Sequence, residues 1–141
     1  DIKCPFTRKS FCEQVDIYEQ VKNGNIEAFK AAKPEYYWQL VSNCILANKD
    51  FAMAVVYCPR EDDVLEILSE SNLEYDANHS EALNQAKEKV KWLTLEETPY
   101  LKNDCAYSDV NSVKFQIPQE DKDLLIERVE LAQIELLKLL K

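Results

Sequence analysis

The sequence is poor in the residues that build several common kinds of active site. It has 141 residues and only one glycine, Gly24, where average usage of about 7% predicts roughly ten. This excludes a Gly-rich loop that cradles phosphate and the glycine fingerprint of dinucleotide-binding domains. The single histidine, His79, excludes HExxH metalloproteases, two-histidine zinc fingers and catalytic zinc held by three histidines.

The five cysteines lack the close spacing of a zinc ribbon or a clustered iron–sulfur ligand set. They lie mostly in apolar stretches, so their odd number predicts reduced, buried thiols in a reducing compartment, the cytoplasm. The longest apolar run, residues 51–58, is far shorter than the roughly 18 residues of a membrane span. No membrane partner is therefore expected.

The composition is that of a soluble globular protein, with 46% hydrophobic and 30% charged residues. The formal net charge is −9, but it is unevenly distributed. Residues 1–50 carry 7 basic and 7 acidic side chains, whereas residues 51–141 carry 10 basic and 19 acidic ones. The acidity of the chain as a whole is therefore no argument against a phosphate-containing substrate near residues 1–50.

Patterns in the first part of the chain predict two helices. Ser10 and Glu13 fit a capping box at the start of a helix over about residues 10–22, which ends at Gly24. Pro34 suits the first turn of a second helix that runs to about Asn48. Its predicted buried stripe is Tyr37, Leu40, Val41, Cys44 and Ile45. Tyr36, Gln39 and Asn43 are then expected together on a different, polar face.

The apolar run at residues 51–58 is typical of a strand buried on both faces. A helix that feeds such a strand after a two-residue turn indicates an α/β layer. Helices are expected at 60–70 and 80–93, and residues 94–111 are expected to be irregular. Acidic residues 61–63 could bind a cation, but an acidic first turn that complements a helix dipole is the favoured interpretation.

The last part of the chain predicts one further strand and one further helix. Residues 113–117 alternate apolar and polar side chains, as a half-exposed strand does. Residues 119–140 are expected to form a helix whose stripe is buried in the domain core. That stripe consists of Leu125, Val129, Ala132, Leu136 and Leu139/Leu140. Pairing of the same stripe with another subunit is the alternative.

An Asp-x-Lys triplet occupies residues 1–3. Alternate residues of a strand point to one face, so the Asp1 carboxylate could hold Mg²⁺ while the Lys3 ammonium contacts the neighbouring water or phosphate oxygen. Such a pair suits phosphodiester hydrolysis, in which negative charge develops. Taken alone the triplet is weak, because an exposed ion pair worth at most about 1 kcal/mol would look the same.

Residues 1–7 read Asp-Ile-Lys-Cys-Pro-Phe-Thr, and this stretch resembles the motif strand of the PD-(D/E)xK nucleases. It is most similar to the lambda exonuclease group, also called YqaJ-type viral recombinases, which follows its E-x-K with a similar Cys-Pro-Phe-Thr. Two further matches occur in the family's order: Tyr-x-x-Gln at residues 36–39 and Tyr-x-Pro-Arg at residues 57–60. The resemblance covers residues 1–60 and, more weakly, 112–140.

The resemblance implies a role for each matched residue. Asp1 and the backbone carbonyl of Ile2 are metal ligands, with Mg²⁺ as the expected cofactor and Mn²⁺ as a substitute. Lys3 positions or activates the attacking water, and Gln39 orients that water or a phosphate oxygen. Tyr36 contacts a backbone phosphate. The family's upstream aspartate does not occur in this chain, and Asp1 replaces its usual glutamate.

The implied fold is α/β with a restriction-endonuclease-like core, a mixed sheet flanked by helices, and helical additions. Residues 1–141 are expected to be the C-terminal part of a single nuclease domain. The implied activity is 5′-to-3′ digestion of linear double-stranded DNA in phage-type recombination. The implied partners are double-stranded DNA, a single-strand annealing protein and further copies in a ring-shaped homo-oligomer.

Two other functions are compatible with the sequence. One is a RecB-like or Cas4-like nuclease module of the same superfamily, although Cas4-type enzymes need a C-terminal cysteine cluster and no cysteine follows Cys105. The other is a binding domain that keeps the fold without catalysis. Binding of Mg²⁺ or Mn²⁺ would distinguish a competent nuclease site from this second alternative.

Overall fold

The computed structural model describes residues 2–5, 7–64 and 93–140. It is mixed α/β, with a small three-stranded mixed sheet flanked by helices. The strands are β1 (Ile2–Lys3), β2 (Phe51–Tyr57) and β3 (Val110–Gln116), and their order in the sheet is β1-β2-β3. The helices are α1 (Arg8–Lys22), α2 (Ile26–Ala32), α3 (Pro34–Ala47) and α4 (Gln119–Leu139). Residues 61–64 are also helical.

The described residues divide into two compact units. Unit 1 comprises residues 17–54 and 112–140, and unit 2 comprises residues 2–5, 7–16, 55–64 and 93–111. Helix α1 and strands β2 and β3 each contribute residues to both units. Most of the described helical residues therefore belong to unit 1, whereas strand β1, which ends at Lys3, belongs to unit 2.

Unit 1 has an aromatic core centred on Phe29, which is fully buried. Four other rings contact it edge-on at centroid distances of 5.3–6.1 Å: Tyr18, Tyr36, Tyr37 and Phe115. Edge-to-face packing brings the positive ring edge to the negative ring face and adds to the free energy of apolar burial. These contacts hold α1, α2, α3 and β3 together within unit 1.

Helix α2 was not predicted from the sequence. It has only seven residues, so its apolar side chains recur too few times to give a helical period. Its signal is the N-cap, where the Asn25 side chain accepts a hydrogen bond from the amide of Ala28 at 3.2 Å. Just before it, Gly24 ends α1 with φ of 89°, a left-handed conformation that suits glycine.

The first helix begins earlier than predicted, and Ser10 is not its cap. Helix α1 starts at Arg8, and the Thr7 hydroxyl accepts the hydrogen bond from the Ser10 amide at 3.2 Å. The amides of Arg8 and Lys9 donate to the carbonyls of Thr98 and Glu96. Because those partners are distant in the chain, the sequence pattern could not place this end of the helix.

Unit 2 is built around the end of β2 and the loop that precedes β3. Leu101 is fully buried, and its amide donates to the carbonyl of Pro59 at 2.9 Å. Phe11 packs edge-on against Tyr107, with ring centroids 6.5 Å apart. Residues 94–109 form turns and bends, as expected for this stretch, but the following strand starts at Val110 instead of residue 113.

Two predictions about burial were wrong. Strand β2 is covered on one face only, since Ala52, Ala54 and Val56 are buried while Phe51 and Met53 are 54% and 52% exposed. Helix α4 buries only its start, and its predicted core stripe is exposed from Val129 onward. An apolar pattern identifies the element but does not reveal whether a partner covers it. Of the predicted helix at 60–70, residues 61–64 are helical and residues 65–70 lie outside the described residues. Of the predicted helix at 80–93, only residue 93 is described, and it is not helical.

Candidate functional site

Strand β1 places Lys3 beside the end of β2. The two strands are parallel, with Ile2 opposite Val55 and Lys3 opposite Val56. Because parallel strands end at the same edge of a sheet, Lys3 lies next to the stretch that leads into residues 57–60. Lys3 is partly exposed, whereas Ile2, on the opposite face, is 66% exposed. Asp1 lies outside the described residues.

Arg60, the last residue of the Tyr-x-Pro-Arg match, holds a loop of unit 2. Its guanidinium donates to the carbonyls of Lys102 at 3.4 Å, Cys105 at 3.3 Å and Tyr107 at 2.6 Å. Three carbonyls share one fixed fork of donors, which suits arginine better than lysine. These contacts show Arg60 organising the 102–107 loop.

Tyr57 is a polar residue of the matched stretch to which sequence reasoning gave no role. Partial burial raises the pKa of its hydroxyl above the ordinary value, and the carboxylates of Asp63 and Asp109 raise it further. The hydroxyl therefore stays a neutral hydrogen-bond donor at physiological pH. Strand alternation places Tyr57 on the face of Ile2, opposite the face of Lys3, so the two side chains do not converge.

Tyr36 and Gln39 both lie on α3 in unit 1, but only Gln39 is on its polar face. Gln39 is exposed, as the helical pattern predicted. Tyr36 is 8% exposed, and its ring packs edge-on against Phe29 at a centroid distance of 5.3 Å. The expectation that Tyr36 shares the polar face is wrong, because the aromatic core takes both consecutive tyrosines.

The described residues do not by themselves fit a divalent cation. Among residues 2–5, 7–64 and 93–140, no group of three or more His, Cys, Asp or Glu side chains is arranged to hold a metal. Mg²⁺ is bound through carboxylate oxygens, and the implied carboxylate is Asp1. The three acidic residues at 61–63 accept hydrogen bonds from three separate groups, in order the Lys102 ammonium, the Asn103 side-chain amide and the Arg60 backbone N–H. This agrees with their interpretation as the first turn of a helix.

A buried polar cluster in unit 1 was missed by the sequence analysis. Asp121 is 5% exposed and accepts hydrogen bonds from the Tyr37 hydroxyl at 2.6 Å and the Lys30 ammonium at 2.5 Å. Burial and the bond to Asp121 raise the pKa of Tyr37 far above its ordinary value. The cluster joins α2, α3 and α4. Its only sequence signal was an aspartate in the first turn of the last helix.

The adjacent Lys122 fixes α4 to the start of β2. Its ammonium donates to the carbonyl of Lys49 at 2.9 Å and to the Asp50 carboxylate at 2.8 Å. The hydrogen bond from Lys122 lowers the pKa of Asp50. Both buried polar residues of α4 thus have partners in unit 1, and they set where the helix leaves the core.

The cysteines are free, as predicted, but only two of the five are buried. Burial raises the pKa of Cys58 to about 11 and also raises the pKa of Cys44. Cys12 and Cys105 are partly exposed, and Cys4 is exposed. The expectation of uniformly buried thiols is therefore wrong for Cys4, which lies just after the short edge strand β1.

Comparison with known proteins adds no relative. No family model, curated protein or solved structure matches this chain. Within the described part of the chain, none of the helices has the length and apolar character needed to cross a membrane. The functional assignment therefore depends on the motif residues and on where the structure places them.

Proposed function

We propose that this chain belongs to a Mg²⁺-dependent deoxyribonuclease that resembles lambda exonuclease and digests linear double-stranded DNA from its 5′ ends. The proposal includes a restriction-endonuclease-like core for the mixed sheet. Its sequence support is the set of three ordered matches at residues 1–7, 36–39 and 57–60. Its structural support is the arrangement of the first and third of these matches.

The observation that carries the proposal is the parallel pairing of β1 with β2. A parallel pair joined through helices is a β-α-β unit, and sites in such sheets form where strands end at their carboxyl edge. Lys3 ends β1 at that edge and is partly exposed, so its ammonium is able to approach a phosphate oxygen. An ammonium there would stabilise the negative charge that develops at phosphorus.

The other roles follow the resemblance residue by residue. Asp1 and the carbonyl of Ile2 are proposed to hold Mg²⁺, or Mn²⁺ in its place, and a bound ion of this kind supplies charge neutralisation and an activated water. Gln39 is exposed on α3 and is proposed to orient that water or a phosphate oxygen. Tyr36 has its ring in the core, so only its hydroxyl end is proposed to contact phosphate.

Digestion of end-labelled linear duplex DNA tests the activity directly. The complete protein is incubated with Mg²⁺ and duplexes labelled at either the 5′ or the 3′ end, with closed circular duplex as the control. We expect early release of the 5′ label, no loss of the circular duplex, and no reaction with EDTA. Absence of digestion with both Mg²⁺ and Mn²⁺ would contradict the proposal.

Metal binding by itself separates the nuclease from a binding domain that keeps the fold without catalysis. We expect Mg²⁺ at 100 times its dissociation constant to stabilise the chain by about 2.7 kcal/mol, seen as a rise in Tm. Asp1→Asn should abolish this rise, whereas Asp16→Asn, at an exposed aspartate of α1, should keep it. Duplex binding without any Mg²⁺-dependent rise would favour the binding domain.

Two partners remain part of the proposal. A nuclease that exposes one strand of a duplex generates the substrate of a single-strand annealing protein, and ring-shaped homo-oligomers are expected by analogy with the resembling group. Co-sedimentation with such an annealing protein and the mass of the chain in solution test these two expectations. Neither is needed for digestion to occur.

A further inference from the structure

Helix α1 and the 102–107 loop of unit 2 contact each other along one face of the helix. The Arg8 guanidinium donates to the Cys105 sulfur at 4.0 Å. About two turns further along the helix, the Asp16 carboxylate accepts a hydrogen bond from the Tyr107 hydroxyl at 3.1 Å. The loop therefore runs beside α1 from the level of Arg8 to the level of Asp16.

Cys12 lies midway along this contact. Residues four apart on a helix are neighbours on one face, so Cys12 stands between the two side chains of α1 that contact the loop. The adjacent Phe11 packs edge-on against Tyr107, which keeps the loop against this part of the helix. The two thiols interact electrostatically, since the Cys105 charge raises the pKa of Cys12. Cys12 and Cys105 are therefore neighbours in the fold although they are far apart in the chain.

A small reagent in the solvent can reach both thiols of this pair. Cys12 and Cys105 are partly exposed. Cys58 is close to both, but it is buried, and its thiol donates to the carbonyl of Pro99 at 3.9 Å. Burial raises the pKa of Cys58 to about 11, so its reactive thiolate is scarce. The Cys12–Cys105 pair thus combines proximity with access to solvent, and Cys58 lacks that access.

We propose that Cys12 and Cys105 form a reversible disulfide when the chain reacts with a low-molecular-weight disulfide such as glutathione disulfide. The inference rests on α1 and the 102–107 loop alone and is independent of the proposed nuclease function. Disulfides in a reducing compartment are usually transient and serve redox sensing or catalysis, so a bond of this kind is compatible with cysteines that are normally reduced. The loop consists of turns and bends, so its backbone can adjust to the specific geometry of a disulfide.

The reaction consists of two thiol–disulfide exchanges. Cys105 is the first nucleophile, because burial and the Cys105 charge raise the pKa of Cys12 and leave less of its thiolate. The Cys105 thiolate attacks one sulfur of glutathione disulfide, the reagent's S–S bond breaks, and the departing glutathione takes up the proton that Cys105 lost. Cys12 then loses its proton and attacks the Cys105 sulfur of the mixed disulfide, which releases a second glutathione thiol. Two cysteine thiols are oxidised to one disulfide, and one glutathione disulfide is reduced to two thiols.

The disulfide would join the 102–107 loop covalently to α1. It would act beside the three hydrogen bonds by which Arg60 already holds the carbonyls of this loop. A cross-link between residues that are far apart in the chain restricts the unfolded state and so favours the folded one. We therefore expect the oxidised chain to melt at least about 5 °C above the reduced chain.

Peptide mapping of the oxidised wild type tests the pair without any substitution. The reduced chain is incubated with glutathione disulfide at about pH 8, the remaining thiols are alkylated in denaturant, and the digest is analysed by mass spectrometry without reduction. We expect two of the five cysteines to lose their thiols within one chain. The Cys12–Cys105 linkage should be at least about 10-fold more abundant than any other cysteine pair, because the second exchange is intramolecular. Dithiothreitol should restore both thiols.

Three serine variants test the order of the steps and the effect on stability. Cys12→Ser should stop at a mixed disulfide between glutathione and Cys105, whereas Cys105→Ser should react at Cys12 at least about 10-fold more slowly. Neither variant should show the oxidation-dependent rise in Tm. Cys4→Ser is the matched control: it removes an exposed thiol outside the pair and should keep both the linkage and the rise in Tm.

The mapping result decides the proposal even if a serine variant fails to fold. A dominant linkage that includes Cys58 or Cys4 would overturn it. A wild type that keeps all its thiols, stops at the mixed disulfide or forms disulfides only between two copies would also overturn it. Equal rates of glutathione addition in Cys12→Ser and Cys105→Ser would refute the order of attack. A Cys12–Cys105 disulfide that leaves the Tm unchanged would contradict the joining of the loop to α1.

Discussion

Replacing Tyr37 by phenylalanine isolates the hydrogen bond that joins α3 to α4. Tyr37 is fully buried, and its hydroxyl donates to the buried Asp121 carboxylate at 2.6 Å. Its ring stacks on Phe115 with an interplanar angle of 13°. Phenylalanine keeps the ring and its apolar contacts, so the substitution removes only the hydroxyl and leaves one acceptor site of a buried carboxylate unsatisfied.

The expected loss follows from the charge of the acceptor. A hydrogen bond to a charged group contributes about 1.5–3 kcal/mol, so Tyr37→Phe should lower the free energy of unfolding by about 2 kcal/mol. For a chain of this size that corresponds to a fall in Tm of roughly 6 °C. Urea unfolding followed by circular dichroism measures the free energy, and an unchanged dependence on urea concentration would show that only stability has changed.

Tyr107→Phe is the matched control. Its hydroxyl also donates to an aspartate, Asp16, at 3.1 Å, but this hydrogen bond is exposed to solvent although the Tyr107 residue is half-buried, so water replaces the lost bond. We expect a loss below about 0.5 kcal/mol. If Tyr37→Phe and Tyr107→Phe destabilise the chain equally, the argument that burial gives the Tyr37–Asp121 bond its strength is wrong.

The pH dependence gives the same test a second readout. Burial and Asp121 raise the pKa of Tyr37, so the folded chain favours the protonated phenol. A raised pKa contributes stability that is fully present below the ordinary tyrosine pKa of about 10 and is lost as the pH rises above it. The difference in free energy of unfolding between the wild type and Tyr37→Phe should therefore become smaller above about pH 10. A difference that stays constant there would contradict the raised pKa of Tyr37.

Two further predictions concern unit 2. Arg60→Ala removes the donors to three carbonyls and should speed amide hydrogen exchange at least about 10-fold in residues 102–107. The control, Arg128→Ala on the exposed part of α4, should leave that exchange unchanged. Equal exchange rates of residues 102–107 in the two variants would contradict the role of Arg60. Burial raises the pKa of Cys58 to about 11, so little of its reactive thiolate is present at about pH 8. Alkylation at about pH 8, followed by mass spectrometry, should therefore modify the exposed Cys4 much faster than Cys58. Modification of Cys58 before Cys4 in the folded chain would contradict the burial of Cys58.

Local sequence patterns predicted most elements because their signals are local. Pro34 at the start of α3 and the apolar run of β2 fix those elements through backbone geometry and side-chain periodicity. The start of α1 was misplaced because its first amides bond to residues 96–98, far along the chain. Tyr36 and Tyr37 illustrate the same limit. Helical spacing alone assigned one to the surface, whereas the core around Phe29 accommodates both rings.

The candidate site shows a different limit. The motif predicted a strand at Lys3, and the parallel register with Val56 is consistent with that expectation. Asp121 could not be recognised, because its partners Lys30 and Tyr37 are more than 80 residues away and only the fold brings them together. The stripe predicted on α4 gave a clear apolar pattern, yet periodicity is the same for a stripe that faces a core and one that faces solvent.

The rate of linear-duplex digestion by Lys3→Ala tests the central claim most directly. The comparison uses the complete protein with Mg²⁺, and the control is Lys9→Ala, an exposed lysine of unit 2 whose ion pair with Glu96 spans 3.7 Å. Loss of a group that stabilises transition-state charge should slow digestion by about 100- to 1,000-fold, with the Lys9→Ala rate unchanged. Digestion by Lys3→Ala at the wild-type rate would contradict the assignment of the Asp-x-Lys strand to catalysis.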